Sequence, residues 1–330
     1  MATEHFVSTA IIDNSITEYY NRTLLQFAKP KLLHTQFGER IPLPTKNGKT
    51  VKMRRYQKLA VATTPLAEGI PPTGGTIIKT DLTVTVKQYG FFIIYTDVLE
   101  ITEADNVLNE FSSKLGDQEG ETFDRLTRDT LLACAGSTTC SNGASVPTDL
   151  NDTDIDSVVQ TLLGNDAEYM TRMVGASQGV GTTPIGDAFY GIAHTDLWDD
   201  LQKVSGWVPV NKYPNGSAQV FGEVGATNAV RWLMSTKSHQ AGDSIDATYY
   251  NNLVIAKNAY GVVSLGNTGD SGGGYASRGL NSEMIIKPLG SAGSADPINQ
   301  QGTIGWKVMG WACRILNEDY IHRLLCTNMS

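Results

Sequence analysis

The chain has 330 residues, 41% of them hydrophobic, and a formal net charge of −8 at pH 7. This length and composition exclude a disordered, collagenous or coiled-coil chain and allow one sizeable core or two smaller ones. The negative balance disfavours sequence-independent nucleic-acid binding, which rests on neutralising phosphates with Lys and Arg. The start Met1-Ala2-Thr3-Glu4-His5-Phe6 lacks a basic region followed by an apolar run, and no stretch approaches the roughly 20 apolar residues of a membrane span, so neither secretion nor membrane insertion is expected.

Residues 13–29 carry a helical pattern in which Ile16, Tyr19, Tyr20, Leu24 and Phe27 recur every three or four positions, with Asp13 or Asn14 as N-cap and Pro30 as the stop. A short amphipathic arm is expected there. Asn47-Gly48 then gives a tight-turn signal. From it start two arms, 50–56 and 80–89, that alternate apolar with polar residues as half-buried strands do. The segment joining them, 62–75, is too long for a hairpin turn and too rich in Pro and Gly for a helix. A two-stranded ribbon with such a tip is marginal alone, so it is expected to lie on another copy of the chain. Its root continues as the apolar run 91–95, expected to enter a core.

A long helix is expected over 103–134, about 45 Å at ~1.5 Å per residue. Acids dominate its first half, and Gly116 and Gly120 suggest close packing or a bend. Shorter units follow: a helix at 152–164, a strand at 188–194, a helix at 195–204, an irregular stretch to 225, a helix or turn at 227–232 and a strand at 252–265. Residues 266–279 read as a Gly/Ser-rich surface loop. Residues 302–316 form a long alternating strand.

Charge is uneven along the chain. Between 29 and 58 stand Lys29, Lys31, Arg40, Lys46, Lys49, Lys52, Arg54, Arg55 and Lys58 against Glu39 alone, about +8, which leaves about −16 for the remainder. A solvated, lysine-protected strand edge accounts for this. So does a basic arm that docks on an acidic surface of a neighbouring copy.

Chemistry-bearing motifs are weak. Cys134, Cys140, Cys313 and Cys326 lack zinc-knuckle spacing and read as buried free thiols. The five histidines are scattered, no phosphate-binding loop occurs, and Asp196, Asp199 and Asp200 read as first-turn acids on a solvated helix face. Gly269-Asp270-Ser271-Gly272-Gly273 matches the nucleophile signature of trypsin-like proteases, with His194 upstream. It sits in a run too Gly-rich to hold a nucleophile rigidly. No catalytic residue, metal or cofactor is expected. A serine hydrolase using Ser271 and a self-associating surface or tail adhesin are the alternatives.

The order of elements, together with Tyr19-Tyr20-Asn21-Arg22-Thr23-Leu24-Leu25, Gln36-Phe37-Gly38, Asn47-Gly48-Lys49-Thr50-Val51, Arg54-Arg55, Leu66-Ala67-Glu68-Gly69 and Tyr89-Gly90, resembles the Hong Kong 97-type major capsid proteins of tailed bacteriophages. Within them it is similar to the group that includes the coliphage N-four capsid protein. The resemblance implies an α+β capsid fold divided as an N-terminal arm (1–32), a first P-domain segment (33–49), an extended E-loop (50–88), the P-domain with its spine helix (89–146), an A-domain (147–300) and a C-terminal return to the P-domain (301–330). It also implies pentamers and hexamers of an icosahedral shell around packaged double-stranded DNA, with portal, scaffolding and decoration proteins as partners. Scaffolding is expected from a separate protein. In this frame Arg54, Arg55, Lys58, Glu68, Ile70 and Pro71 of the ribbon are the expected inter-subunit contacts, facing Glu110, Asp117, Glu119 and Glu121 of a neighbour's spine helix.

Overall fold

The computed structural model describes residues 32–43, 48–56, 59–66, 68–69, 74–102, 107–141, 147–175, 181–214, 219–242, 248–265, 282–291 and 296–328. The expected arm at 13–29, the turn residue Asn47 and the loop at 266–279 lie outside them.

The expected long alternating strand is the axis of the first sheet. It runs over Gln301–Ile315, and its alternation sets Ile304, Trp306 and Val308 on a buried face. One of its flanks is occupied by Lys87–Thr96, and the other by Ser282–Lys287 and then Tyr260–Leu265, all antiparallel to it. Glu39–Leu43 adds in parallel beyond Tyr260–Leu265. Numbering the strands in chain order, these are β1 (Glu39–Leu43), β4 (Lys87–Thr96), β12 (Tyr260–Leu265), β13 (Ser282–Lys287) and β14 (Gln301–Ile315).

The spine helix runs over Val107–Leu132 and is called α2, a short helix, α1 (Asp97–Thr102), precedes it, and the expected start at 103 lies outside the described residues. Ser112, Leu115, Glu119, Phe123, Asp124, Thr127 and Leu131 are its most buried residues, spaced by three or four, so they form one stripe. Gly116 and Gly120 are also buried, which lets the helix close on β14. The Phe123 ring meets Trp306, Trp311 and Tyr89 at centroid distances of 5.8, 5.4 and 5.8 Å. Asp124 accepts from both the backbone N and Nδ1 of His34, at 2.6 and 2.7 Å, and Tyr260 donates its hydroxyl to the His34 carbonyl. This buried staple fixes the segment at 32–37 between helix and sheet.

The second sheet has eight strands in the order β5, β15, β11, β6, β9, β8, β7, with β10 paired to β11. These are β5 (Gly136–Thr139), β6 (Phe189–His194), β7 (Val208–Pro209), β8 (Glu223–Thr227), β9 (Val230–Ser235), β10 (His239–Gly242), β11 (Thr248–Ile255) and β15 (Ile321–Thr327). Helix α3 (Asp152–Gly164), capped by Asn151 whose side chain accepts from the Asp154 backbone N at 2.9 Å, buries Ile155, Val158, Val159 and Leu162 in a core shared with this sheet. A 3-10 turn (Thr195–Leu197) and α4 (Trp198–Lys203) join the same core.

Several expectations change. Of the helix or turn expected at 227–232, the turn is what forms: Asn228 and Ala229 both take positive φ in the two-residue turn that joins β8 to β9. The single strand expected at 252–265 is broken at Asn258, φ 57°, and its halves enter different sheets. Asp200, expected on a solvated face, is buried, and Asp196 accepts from the Tyr250 hydroxyl. Strands β12 and β13, inside the expected A-domain span, belong to the first sheet, whereas β5 and β15, inside expected P-domain spans, belong to the second. The four cysteines are free and buried, as expected.

Candidate assembly surfaces

The ribbon exists. β2 (Thr50–Tyr56) and β3 (Lys79–Thr85) pair antiparallel, Met53 opposite Leu82, as a separate two-stranded sheet. At its root the Val86 backbone N donates to the Lys49 carbonyl, and β14 carries a register shift between Val308 and Trp311 opposite Lys87, where β4 leaves the first sheet to become the ribbon. The root half is covered by its own domain. Met53 and Val86 are buried against Val263 and Ala312, with Val51, Leu82 and Val84 around them. Beyond Tyr56 this support ends, and Leu59, Val61, Leu66, Ile77 and Ile78 are exposed, Leu66 by 77% and Val61 by 79%.

The expected contact residues fare differently. Arg54 and Arg55 are exposed on the ribbon but already face acids of their own chain: Arg54 Nε lies 3.9 Å from Asp81 and Arg55 Nη2 3.7 Å from Asp319. Glu68 is exposed near the tip, and Lys58, Ile70 and Pro71 lie outside the described residues. Glu110 is exposed and Asp117 half-buried with a partner in its own chain. Glu121 is bridged by Arg125 at 2.6 Å and Lys237 at 2.9 Å, and Lys237 above all holds its carboxyl below the ordinary range.

Glu119 is a correction. It is 0% exposed, on the stripe that faces the sheet, so it cannot meet a neighbouring subunit. Both its carboxyl oxygens lack a well-formed hydrogen bond, and burial pushes it up to about 7, an effect the nearby Ser282 hydroxyl only weakens. The signal for this was present: Leu115, Glu119 and Phe123 are spaced by four and therefore share a helix face.

A second exposed apolar surface was not expected. The run 91–95 was read as entering a core, yet β4 lies on the outside of β14, so only Tyr95 is buried and Ile93 partly so, while Phe91, Phe92 and Ile94 are largely exposed. On the sheet face turned away from α2, Phe92 lies opposite Gly305 and Ile285 flanks the same glycine from β13. Gly90 and Gly305 leave the middle of this face without side chains; a Cβ on Gly305 would come within 2.6 Å of the Phe91 carbonyl and 2.7 Å of Phe92 Cβ. The result is an open trench of about 590 Å³ whose margins carry Gln88, Lys287 and Lys307.

Catalytic geometry does not gather around the protease-like motif. Ser271 lies outside the described residues, and His194 uses Nδ1 to accept from the Asp196 backbone N as the cap of a 3-10 turn. Among the described residues no group of three or more His, Cys, Asp or Glu could hold a metal, and no helix is long and apolar enough to cross a membrane.

Comparison with known proteins sets these surfaces in context. No curated protein matches the chain in sequence. Among solved structures, the capsid of Ralstonia phage GP4 superposes with a TM-score of 0.60 at 11% identity, covering 90% of this chain and 89% of that one. The capsid asymmetric unit of cyanophage Pam1 gives 0.58 at 11% identity, with 86% of each chain covered. The capsid of cyanophage P-SCSP1u gives 0.57 at 12%, covering 90% and 88%. At such identities the likeness is one of fold, and the fold is the α+β Hong Kong 97-type architecture. The family model described as phage capsid protein matches residues 79–321. With well over half its length in that match, the chain belongs to the phage capsid protein family, and its role is that of a major capsid protein.

Proposed function

We propose that this chain closes into pentamers and hexamers of an icosahedral head, with the ribbon of each subunit reaching over the P-domain of the next. The observation that carries this reading is the ribbon tip: Leu59, Val61, Leu66, Ile77 and Ile78 are exposed among the described residues, in a protein of the phage capsid family. A tip on one face and its seat elsewhere make a heterologous contact, the kind that generates rings when the rotation closes. Full-length protein co-expressed with its scaffolding protein is expected to yield closed shells by negative-stain microscopy, and deletion of 62–75 to leave unclosed material. Normal closed shells from the deletion would overturn the ribbon's role.

The P-domain is the unit of α2 and the first sheet, and the A-domain the unit of α3, α4 and the second. Portal, scaffolding and decoration proteins are its further partners, assembly takes place in the host bacterial cytoplasm, and the chain is not an enzyme. Membership of the group that includes the coliphage N-four capsid protein rests on the motifs between 19 and 90, most of which precede the family match that begins at residue 79.

Packaged double-stranded DNA is enclosed without tight binding, because the chain outside 29–58 carries about −16. Isolated capsomers at about 0.15 M salt are expected to leave duplex DNA unshifted in an electrophoretic assay. A shift at micromolar protein would contradict this.

A further inference from the structure

We infer that Cys140 and Cys326 are a redox pair: neighbours on parallel strands, they close into a disulfide that staples β5 to β15 when the chain meets an oxidising medium. The inference concerns the subunit's own fold and is independent of how subunits meet.

The backbone brings the two residues side by side. β15 pairs with β5 in parallel from His322 opposite Gly136 to Leu325 opposite Thr139, and the Cys140 backbone N continues the ladder by donating to the Leu325 carbonyl at 2.8 Å. The next residue on each strand is the cysteine. Neighbouring strands run ~4.8 Å apart, inside the roughly 4.4–6.8 Å between Cα atoms that a disulfide spans. Both side chains are 0% exposed and enter the same core, the one that α3 shares with the second sheet. Their positions are fixed on both sides. The Cys140 carbonyl accepts from the Thr148 backbone N at 2.8 Å, the Thr148 carbonyl accepts from the Thr327 backbone N at 3.0 Å, and Cys326 stands in register with Tyr250 of β11.

The surroundings divide the two sulfurs by role. Asn252 Nδ2 donates to Cys326 Sγ at 3.1 Å, so negative charge arising there meets a hydrogen-bond donor. Contact with the Cys326 thiol, then burial and the nearby Asp154 carboxylate, hold the Cys140 thiol well above the ordinary range. Cys326 is therefore the sulfur that attacks. Hydrogen peroxide is an oxidant small enough to reach a buried pair. The Cys326 sulfur gives up its proton and attacks one peroxide oxygen, which leaves a sulfenic acid and one water; the Cys140 sulfur then displaces the hydroxyl, which takes the Cys140 proton and leaves as a second water. Two thiols and one peroxide become one disulfide and two waters.

The staple acts at the edge of the second sheet, where the four-residue β5 ends the strand order. It closes a loop from 140 to 326, more than half of the chain, and long closed loops remove the most entropy from the unfolded state. A bacterial cytoplasm keeps such thiols reduced and an oxidising medium does not, so the bond marks a head that has left its host.

Peroxide treatment of the folded full chain tests the pair. After remaining thiols are blocked in denaturant and the chain is digested without reduction, mass spectrometry should find peptides joining 140 to 326, from a band of single-chain mass. The thermal midpoint should rise by about 5 °C and fall back on addition of dithiothreitol. Cys140→Ser and Cys326→Ser should each abolish both effects, and Cys134→Ser combined with Cys313→Ser should keep both. Should a serine variant fail to fold, the wild-type peptide map and midpoint decide alone. Linked peptides that contain Cys134 or Cys313 instead, or sulfinic acid at Cys326 without the 140–326 link, would overturn the pair. A 140–326 link that leaves the midpoint unmoved would overturn its role as a staple.

Discussion

Replacing Glu223 by Ala should lower stability by about 3–5 kcal/mol, because it removes the buried carboxylate that Arg231 holds by two charge-assisted bonds. The two side chains are 0% and 3% exposed, and Arg231 holds the carboxylate by two bonds, Nε to Oε1 at 2.6 Å and Nη2 to Oε2 at 2.7 Å. The same carboxylate accepts from the Tyr213 hydroxyl at 2.8 Å and from the Val220 backbone N at 3.0 Å. Burial first, and then the carboxylate that takes its proton in a hydrogen bond, hold the Tyr213 hydroxyl above its ordinary range. The guanidinium also lies over the Tyr190 and Tyr213 rings, 5.6 and 5.5 Å from their centroids. One residue thus ties β8, β9 and the segment around 213–220 together. In the Glu223→Ala variant the thermal midpoint should fall by roughly 5 °C for a chain of this length. Adding Arg231→Met should recover much of the loss, since replacing both members of a buried pair by apolar groups is often close to neutral. A double variant no more stable than the single one would show that the lost charge partner is not the cause.

How legible all this was depends on which physical signal each element rests on. Strand β14 was readable to within a residue because alternation over fifteen positions has no helical equivalent, and α3 because Asn151 caps a clean apolar stripe. The hairpin joining β8 and β9 was readable only as a helix or turn, because its turn uses Asn228-Ala229 rather than a glycine, so the backbone's positive φ left no compositional trace. The division at Asn258 was hidden for a similar reason: both halves are apolar strands, and one residue in a left-handed conformation sends them to separate sheets. Strand β15 was missed altogether. Its polar members, His322 among them, are buried and hydrogen-bonded, so the strand reads as mixed in sequence although five of its seven residues are inside.

The assembly surfaces divide in the same way. The ribbon was legible as paired period-two segments around a Pro/Gly tip, but which part of it lies bare was not, since that depends on Met53 meeting Val263 and Ala312 from distant strands. The trench was misread as core because Phe91, Phe92 and Ile94 are apolar. Only the pairing order shows that β4 flanks β14 on the outside, where glycines replace bulk on the facing positions. Charge was the least transferable guide. Of the four spine acids expected to meet a neighbour, Glu119 is buried, Glu121 is neutralised within the chain and Asp117 is engaged, which leaves Glu110 as the exposed one.

The buried Glu119 should make the capsid subunit lose stability as the medium turns alkaline. Its carboxyl titrates at about 7 in the folded chain against an ordinary 4.5, because burial beside the first sheet penalises the charged form. Below 4.5 folded and unfolded chains both keep this proton and the group is neutral to stability. Between 4.5 and about 7 the folded chain keeps a proton that the unfolded chain has released, so stability falls as pH rises; above about 7 the loss is complete. At about 1.36 kcal/mol per pH unit, the full loss is about 3 kcal/mol. Asp154 and Asp200, also raised by burial, act in the same direction above 3.8, whereas Glu121 and Glu168, lowered by lysine partners, act below 4.5, where their contribution is lost as pH falls. Glu119→Gln keeps the shape and removes the charge. Denaturant unfolding at pH 8 should find the variant more stable than wild type by about 2–3 kcal/mol, and at pH 4 the two should nearly coincide. Parallel pH profiles for the two proteins would refute this assignment. Glu119 lies on the helix stripe packed against the first sheet, so its ionisation weakens that packing, and wild-type shells should open at a lower pH than Glu119→Gln shells when titrated upward from pH 6 and followed by light scattering.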